Sequence, residues 1–116
     1  MKRSLYVATA SAFLCASFAF GAQNSSTKSN SKAGDPAKGK EVFEQCSVCH
    51  NADTPEKKIG PSLKGLFKQQ KLVNGKPVTE ANVREFINNG GNGMPSYADM
   101  LSKEDKDNVI AYLKTL

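Results

Sequence analysis

Tryptophan is absent from this 116-residue chain, histidine occurs once, at His50, and cysteine three times, at Cys15, Cys46 and Cys49. Each scarcity closes off chemistry. A structural zinc site draws on about four Cys and His ligands, usually as two spaced pairs, and no second pair exists to join Cys46, Cys49 and His50. Sustained polar–apolar alternation is missing too, so no strand–helix–strand unit is expected around residues 40–60. That removes the setting of a thioredoxin-like redox pair. Acids are missing from Lys57 to Thr79, a stretch with six lysines (57, 58, 64, 68, 71 and 76). Aromatics are not interleaved with these lysines, which speaks against a nucleic-acid partner. No internal repeat is present.

A chain of this length has room for one small domain. Its N-terminus reads as a secretory signal over residues 1–22. Lys2 and Arg3 form the positive start, Leu5 to Ala22 is an uncharged run, and Ala19-Phe20-Gly21 offers a cleavage site after Gly21 or Ala22. An uncleaved membrane anchor is the rival reading, because the run is close to the minimum for a span. Cys15 lies inside it, behind bulky Phe13 and Leu14, and reads as a small hydrophobe of the signal rather than a lipidation site. Residues 23–34 form a polar linker that can bury little and is expected to be disordered. The folded domain is expected over 35–116, a size at which a side-chain core is marginal and a staple helps.

Cys46-Ser47-Val48-Cys49-His50 carries the most specific chemistry in that domain. Two thiols on one helical turn can each add to a vinyl group of one porphyrin. The imidazole that follows is then carried under the ring, where it can ligate iron. C-x-x-C-H is the attachment pattern of c-type haem, and a covalent haem would be the missing staple. A plain disulfide stays open as a rival, although it gives His50 no role.

The elements read as helices. Asp35 suits an N-cap and Pro36 the first helical position, with Gly39 and Phe43, and Val42 and Cys46, spaced i and i+4. Glycine in a helix interior costs about 1 kcal/mol against alanine, so Gly39 calls for a reason, such as close approach of another helix. Thr79 can cap a helix whose inner face is Val83, Phe86 and Ile87, ended by Gly90-Gly91. Ser102 and Asp105 resemble a capping box before a last helix striped by Val109, Leu113 and Leu116 and widened by Ile110 and Tyr112. A short helical turn is expected around Leu63 to Phe67, and loops at Gly60-Pro61 and Gly75-Lys76-Pro77.

With His50 the only imidazole, a second iron ligand has to be another donor, and the methionines past the signal are Met94 and Met100. Met94 is displayed on Gly90-Gly91-Asn92-Gly93-Met94-Pro95, a loop unsuited to helix or strand. Met100 stands just before the last helix, where packing is its natural role. Met94 is therefore the expected ligand, with Met100, a lysine or an open position as alternatives. A thioether paired with His raises the reduction potential of the couple.

On these residues the chain resembles the class I c-type cytochromes, small single-haem electron-transfer proteins, from Asp35 to Leu116. The likeness is carried by Gly39 and Phe43 ahead of the C-x-x-C-H run, by Gly60-Pro61-x-Leu63, by Gly93-Met94-Pro95-x-Tyr97 and by Ala111-Tyr112-Leu113. It implies an all-α, cytochrome c-like domain of three to four short helices wrapped around one haem c bound through Cys46 and Cys49. It also implies that the first and last helices cross at Gly39 and Phe43 against Tyr112. The Pro61 carbonyl would accept a hydrogen bond from the His50 ring, Leu63 would pack on the haem face, and His50 and Met94 would ligate the iron. One departure concerns the haem propionates: without tryptophan, and with Arg84 the only arginine past the signal, no residue stands out to hold them.

The function so implied is that of a soluble, monomeric electron carrier exported to the periplasm, not an enzyme, its iron passing between ferrous and ferric. Net charge is +5, of which Lys2 and Arg3 supply two. The lysine-rich stretch could steer a redox partner with an acidic docking surface, or merely keep the domain soluble. Two alternatives are a haem-bearing donor subunit of a membrane oxidase or dehydrogenase complex, anchored by its N-terminus, and a haem enzyme or gas-binding protein with an open iron site. The last would need a distal acid–base group that a chain with one histidine does not offer.

Overall fold

In the computed structural model, the structure describes residues 33–116, and the signal sequence and all but the end of the linker expected before them lie outside it. The described residues form three helices, α1 (Pro36–Phe43), α2 (Glu80–Asn89) and α3 (Lys103–Leu113), with one 3₁₀ turn at Leu66–Lys68. Among the described residues, strand pairing is confined to two isolated bridges, Lys71 with Pro77 and Gly91 with Met94. The domain is all-α, as the residue pattern implies.

Local chemistry sets each boundary. The Asp35 carboxylate accepts from the Ala37 amide at 2.8 Å, and Pro36 follows at the first helical position. Thr79 Oγ1 accepts from the Asn82 amide, and Gly90, at φ 68°, ends α2. Ser102 and Asp105 exchange both bonds of a capping box at the start of α3. The 3₁₀ turn begins at Leu66 rather than Leu63, because Gly65, at φ 65°, turns the chain into it.

α1 and α3 cross at Gly39, whose missing side chain lets the two backbones touch. A β-carbon there would run into the Asn108 carbonyl and lie 2.8 Å from Tyr112 Cβ. Beside the crossing, the Phe43 and Tyr112 rings stack at a tilt, centroids 5.3 Å apart. Buried Asn108 closes the far end, its Oδ1 accepting from the Asp35 amide at 2.7 Å. α2 is clasped to α3 from outside by Arg84 on Asp107 at 2.5 Å and by Lys114 on Glu80. Phe43, Val83, Leu101, Val109, Ile110 and Leu113 are the heart of the core. Two residues depart from the expected faces. Leu116 lies past the end of α3 and is only half-buried, and Phe86 is half-buried because it faces a cavity.

Gly39→Val should destabilise the haem-loaded protein by about 1–3 kcal/mol through overpacking. That corresponds to roughly 4–8 °C of melting temperature per kcal/mol in a domain this small. An unchanged thermal melt would show that the crossing can open without cost.

Candidate functional site

The chain leaves α1 in tight turns rather than as helix. The Ser47 amide donates to the Phe43 carbonyl at 2.9 Å, and the His50 amide to the Cys46 carbonyl at 2.9 Å. These turns face Cys46 and Cys49, both free thiols, into a cavity enclosed by α1, α2, α3 and the two long loops. Burial, with a smaller contribution from Cys49, pushes the Cys46 thiol up to about 11. Once this fold is closed, thiolate is therefore scarce at Cys46 at neutral pH.

His50 is buried, and its Nδ1 lies 2.7 Å from the Pro61 carbonyl oxygen. A carbonyl can only accept, so Nδ1 carries the proton and Nε2 keeps a lone pair. Gly60 packs directly on the ring. A β-carbon there would lie 2.8 Å from Nδ1, 3.1 Å from Nε2 and nearer still to Cε1. The loop is pinned at both ends, the Gly60 amide donating to the Cys49 carbonyl and the Leu63 amide to the Asn51 carbonyl, each at 2.8 Å. Half-buried Leu63 is thereby set into the cavity wall.

Met94 is mounted differently. Gly91 and Met94 exchange backbone bonds of 2.9 and 3.0 Å around Asn92 (φ 54°) and Gly93 (φ 89°). Two central residues at positive φ make a type I′ turn, for which Asn-Gly is the favoured dipeptide. Pro95 follows, and the loop is tied back to α2 by the Tyr97 amide on the Ile87 carbonyl and Ser96 Oγ on the Asn88 carbonyl. Met94 lines the cavity, whereas Met100 is 64% exposed and does not. Tyr97 lines it as well, its phenol raised above the ordinary value by burial, with the charges of Cys46 and Cys49 adding.

All six residues singled out from the sequence, Cys46, Cys49, His50, Pro61, Leu63 and Met94, line this one cavity. Its free space, measured out to its open mouth, is about 1480 Å³, and the walls are largely apolar, including Leu66, Val83, Ile87 and Val109. An apolar cavity at the centre of so small a domain is compatible with a close-packed core when an apolar group of matching size occupies it. Two thiols on one wall, an imidazole with a free Nε2 and a thioether fit a covalently held haem as that group. The contact of Gly60 with the imidazole is not readable from the sequence, because it exists only in three dimensions. The Asn92-Gly93 turn is legible as a dipeptide. Arg84 is spent on Asp107 and Glu80 and is not part of the cavity wall.

Comparisons with known proteins show what the chain is similar to. The family described as cytochrome c oxidase, cbb3-type, subunit III matches residues 34–113. Cytochrome c2 of Rhodospirillum rubrum is 32% identical over 110 residues, covering 72% of this chain and 98% of its own length. Cytochrome c-554 of Methylosinus trichosporium is 31% identical over 98 residues, covering 70% of this chain and 74% of its own. The solved structure of cytochrome c6 from the diatom Phaeodactylum tricornutum superposes with a TM-score of 0.56 at 30% identity, over 71% of this chain and 93% of that one.

Gly60→Ala should force the buried imidazole aside and cost about 1–3 kcal/mol in denaturant unfolding. A wild-type unfolding midpoint would mean that the ring has room to yield.

Proposed function

The chain belongs to the class I c-type cytochromes, single-haem electron-transfer proteins, and from that premise we propose that it is a freely diffusing carrier whose iron is held between His50 and Met94. The observation that carries the reading is the convergence of two thiols, a tautomer-fixed imidazole and a thioether on one apolar cavity. When bound, haem c supplies an iron that takes up and gives back one electron between ferric and ferrous.

The residues do the rest. The Cys46 and Cys49 thiols would hold the haem by thioether bonds, each adding across a vinyl double bond so that sulfur goes to one carbon and hydrogen to the other, with no change in oxidation state. Pro61 holds the proton on Nδ1 of His50, which leaves Nε2 available as a neutral donor to iron. Met94 Sδ would supply a second, soft donor, of the kind that favours reduced iron. Leu63, Leu66 and Val83 keep water from the ring. Two protein ligands leave no position for a substrate, so the site passes electrons and performs no catalysis.

Exchange would take place at the mouth of the cavity, where Ile59 and Val73 are 77% and 58% exposed. Both belong to the lysine-rich stretch. The ammonium groups of Lys57, Lys64 and Lys71 there make no ion pair or hydrogen bond with the described residues, whereas those of Lys58, Lys68 and Lys76 are engaged. This positive rim suits a redox partner with an acidic surface. Among the described residues no helix is long and apolar enough to cross a membrane. The signal-like pattern of residues 1–22 supports export to the periplasm. The family description names an oxidase subunit, which keeps a donor subunit as the second reading. Coverage of 93–98% of the diatom cytochrome c6 and the R. rubrum cytochrome c2 favours the free carrier.

In Met94→Ala the long-wavelength sulfur–iron band of the oxidised protein should vanish and the midpoint potential fall, while haem stays covalently attached. Rapid carbon monoxide binding by the reduced wild type would overturn the two-ligand site. Association with an acidic partner should slow by about tenfold or more between 0.01 and 0.15 M salt, as the Debye length shrinks from about 30 to 8 Å. A rate indifferent to salt would leave the lysines a role in solubility alone.

A further inference from the structure

A haem brings two propionate carboxylates, and neither Arg84 nor a tryptophan is available to receive them. A carboxylate at the edge of an apolar cavity costs free energy unless a cation or donors face it. Among the described residues the cavity wall contains no carboxylate and a single cationic side chain, Lys71. We propose that the Lys71 ammonium, with the Gln69 amide on the same strap, holds a haem propionate. The inference rests on the haem site argued above and adds a residue set to it.

Three observations support the assignment. Lys71 is on a fixed piece of backbone. It bridges to Pro77, the Leu72 amide donates to the Lys76 carbonyl at 2.8 Å, and the Val78 amide donates to the Gln70 carbonyl at 3.1 Å. The strap is in turn clasped to α2 by Lys76 on the Glu85 carboxylate, at 2.7 and 2.8 Å. Next, Gln69 and Lys71 both line the cavity two residues apart, the spacing at which side chains of extended backbone share a face. Finally, the thioether bonds fix which side of the ring meets Cys46 and Cys49. The propionates are carried on the side of the porphyrin away from the vinyl carbons, and the strap is a stretch of wall separate from the cysteine turns.

Few other titratable groups of the described residues face the cavity. Cys46 and Cys49 would be consumed by attachment and His50 by the metal, and the half-buried Tyr97 phenol, raised above its ordinary value by burial, stays neutral. Beyond the wall, Glu85 is neutralised by Lys76 on the strap itself. An ion pair with Lys71 keeps the propionate ionised through the neutral range. Without that pair, partial burial raises its pKa into the range, and more so beside the less positive ferrous iron.

The test is the midpoint potential of the haem-loaded full chain between pH 5 and 8, in wild type, Lys71→Met, Lys71→Arg and Lys64→Met. Wild type, Lys71→Arg and Lys64→Met should share one profile, which carries the titration of the other propionate alone. Lys71→Met should add a second fall with rising pH, the reduced-to-oxidised ratio at fixed potential changing by up to a further tenfold per unit, or about 59 mV per unit for one electron. A Lys71→Met profile that matches wild type, or an equal added slope in Lys64→Met, would overturn the assignment. So would loss of the sulfur–iron band in Lys71→Met, because that would put Lys71 on the methionine loop instead. Should Lys71→Met fail to mature, the propionate carboxyls of the wild type can be titrated by ¹³C resonance in labelled haem. Ionisation of one carboxyl below the ordinary carboxylate range supports the pair, and protonation of both near neutral pH overturns it. Wild-type protein without covalent haem would overturn the parent reading, whereas loaded protein whose Lys71→Met profile matches wild type overturns the role of Lys71 alone.

Discussion

Everything in this domain hangs on the place where α1 and α3 touch. Gly39 leaves no side chain between the helices, so the backbone of one rests on the Asn108 carbonyl of the other. That contact fixes the direction in which α1 ends, and hence where the turns bearing Cys46, Cys49 and His50 begin. The Phe43 and Tyr112 rings and the Asn108–Asp35 bond hold the crossing from its two sides. An ordinary side chain at Gly39 would move the cysteine turns bodily, because nothing flexible lies between them and the crossing.

Charge is divided between structure and recognition. Arg84, Lys114 and Lys103 are committed to Glu80 and Asp107, which pin α2 to α3 on the solvent side. Those carboxylates are held below their ordinary values. For Glu80 the hydrogen bond from Lys114 is the largest cause, and for Asp107 that from Lys103. Each lowered carboxylate adds stability at neutral pH that fades as pH falls through its folded-state value. These groups are too exposed for that loss to be large. The lysines between residues 57 and 79 stand apart from this network; among the described residues Lys76 alone of them forms an ion pair, with Glu85.

Helix caps are local chemistry, so Asp35, Thr79 and Ser102 mark their helices in the sequence alone, and the C-x-x-C-H run and the Met94 loop announce the site there too. What the residue pattern hides is non-local. Asn108 looks like a surface residue on a helix until its amide is found closing the start of another helix across 73 residues of chain. Phe86 reads as core because periodicity cannot distinguish a face packed on side chains from one turned to a cavity. Lys71 is one lysine among six, and only the path of the strap sets it on the wall. Gly60 is legible as a turn residue, but its tight fit against an imidazole is not.

That fit bears on how fast an electron can cross. Transfer is slowed by any atoms that must move when charge arrives. The His50 ring has Gly60 packed against it and the Pro61 carbonyl on its edge, which restrains it from tilting. Were His50 to hold the iron, an imidazole so restrained would offer nearly the same bond to either oxidation state. The absence of a side chain at one residue would then become a small nuclear reorganisation, and a low barrier, at the metal.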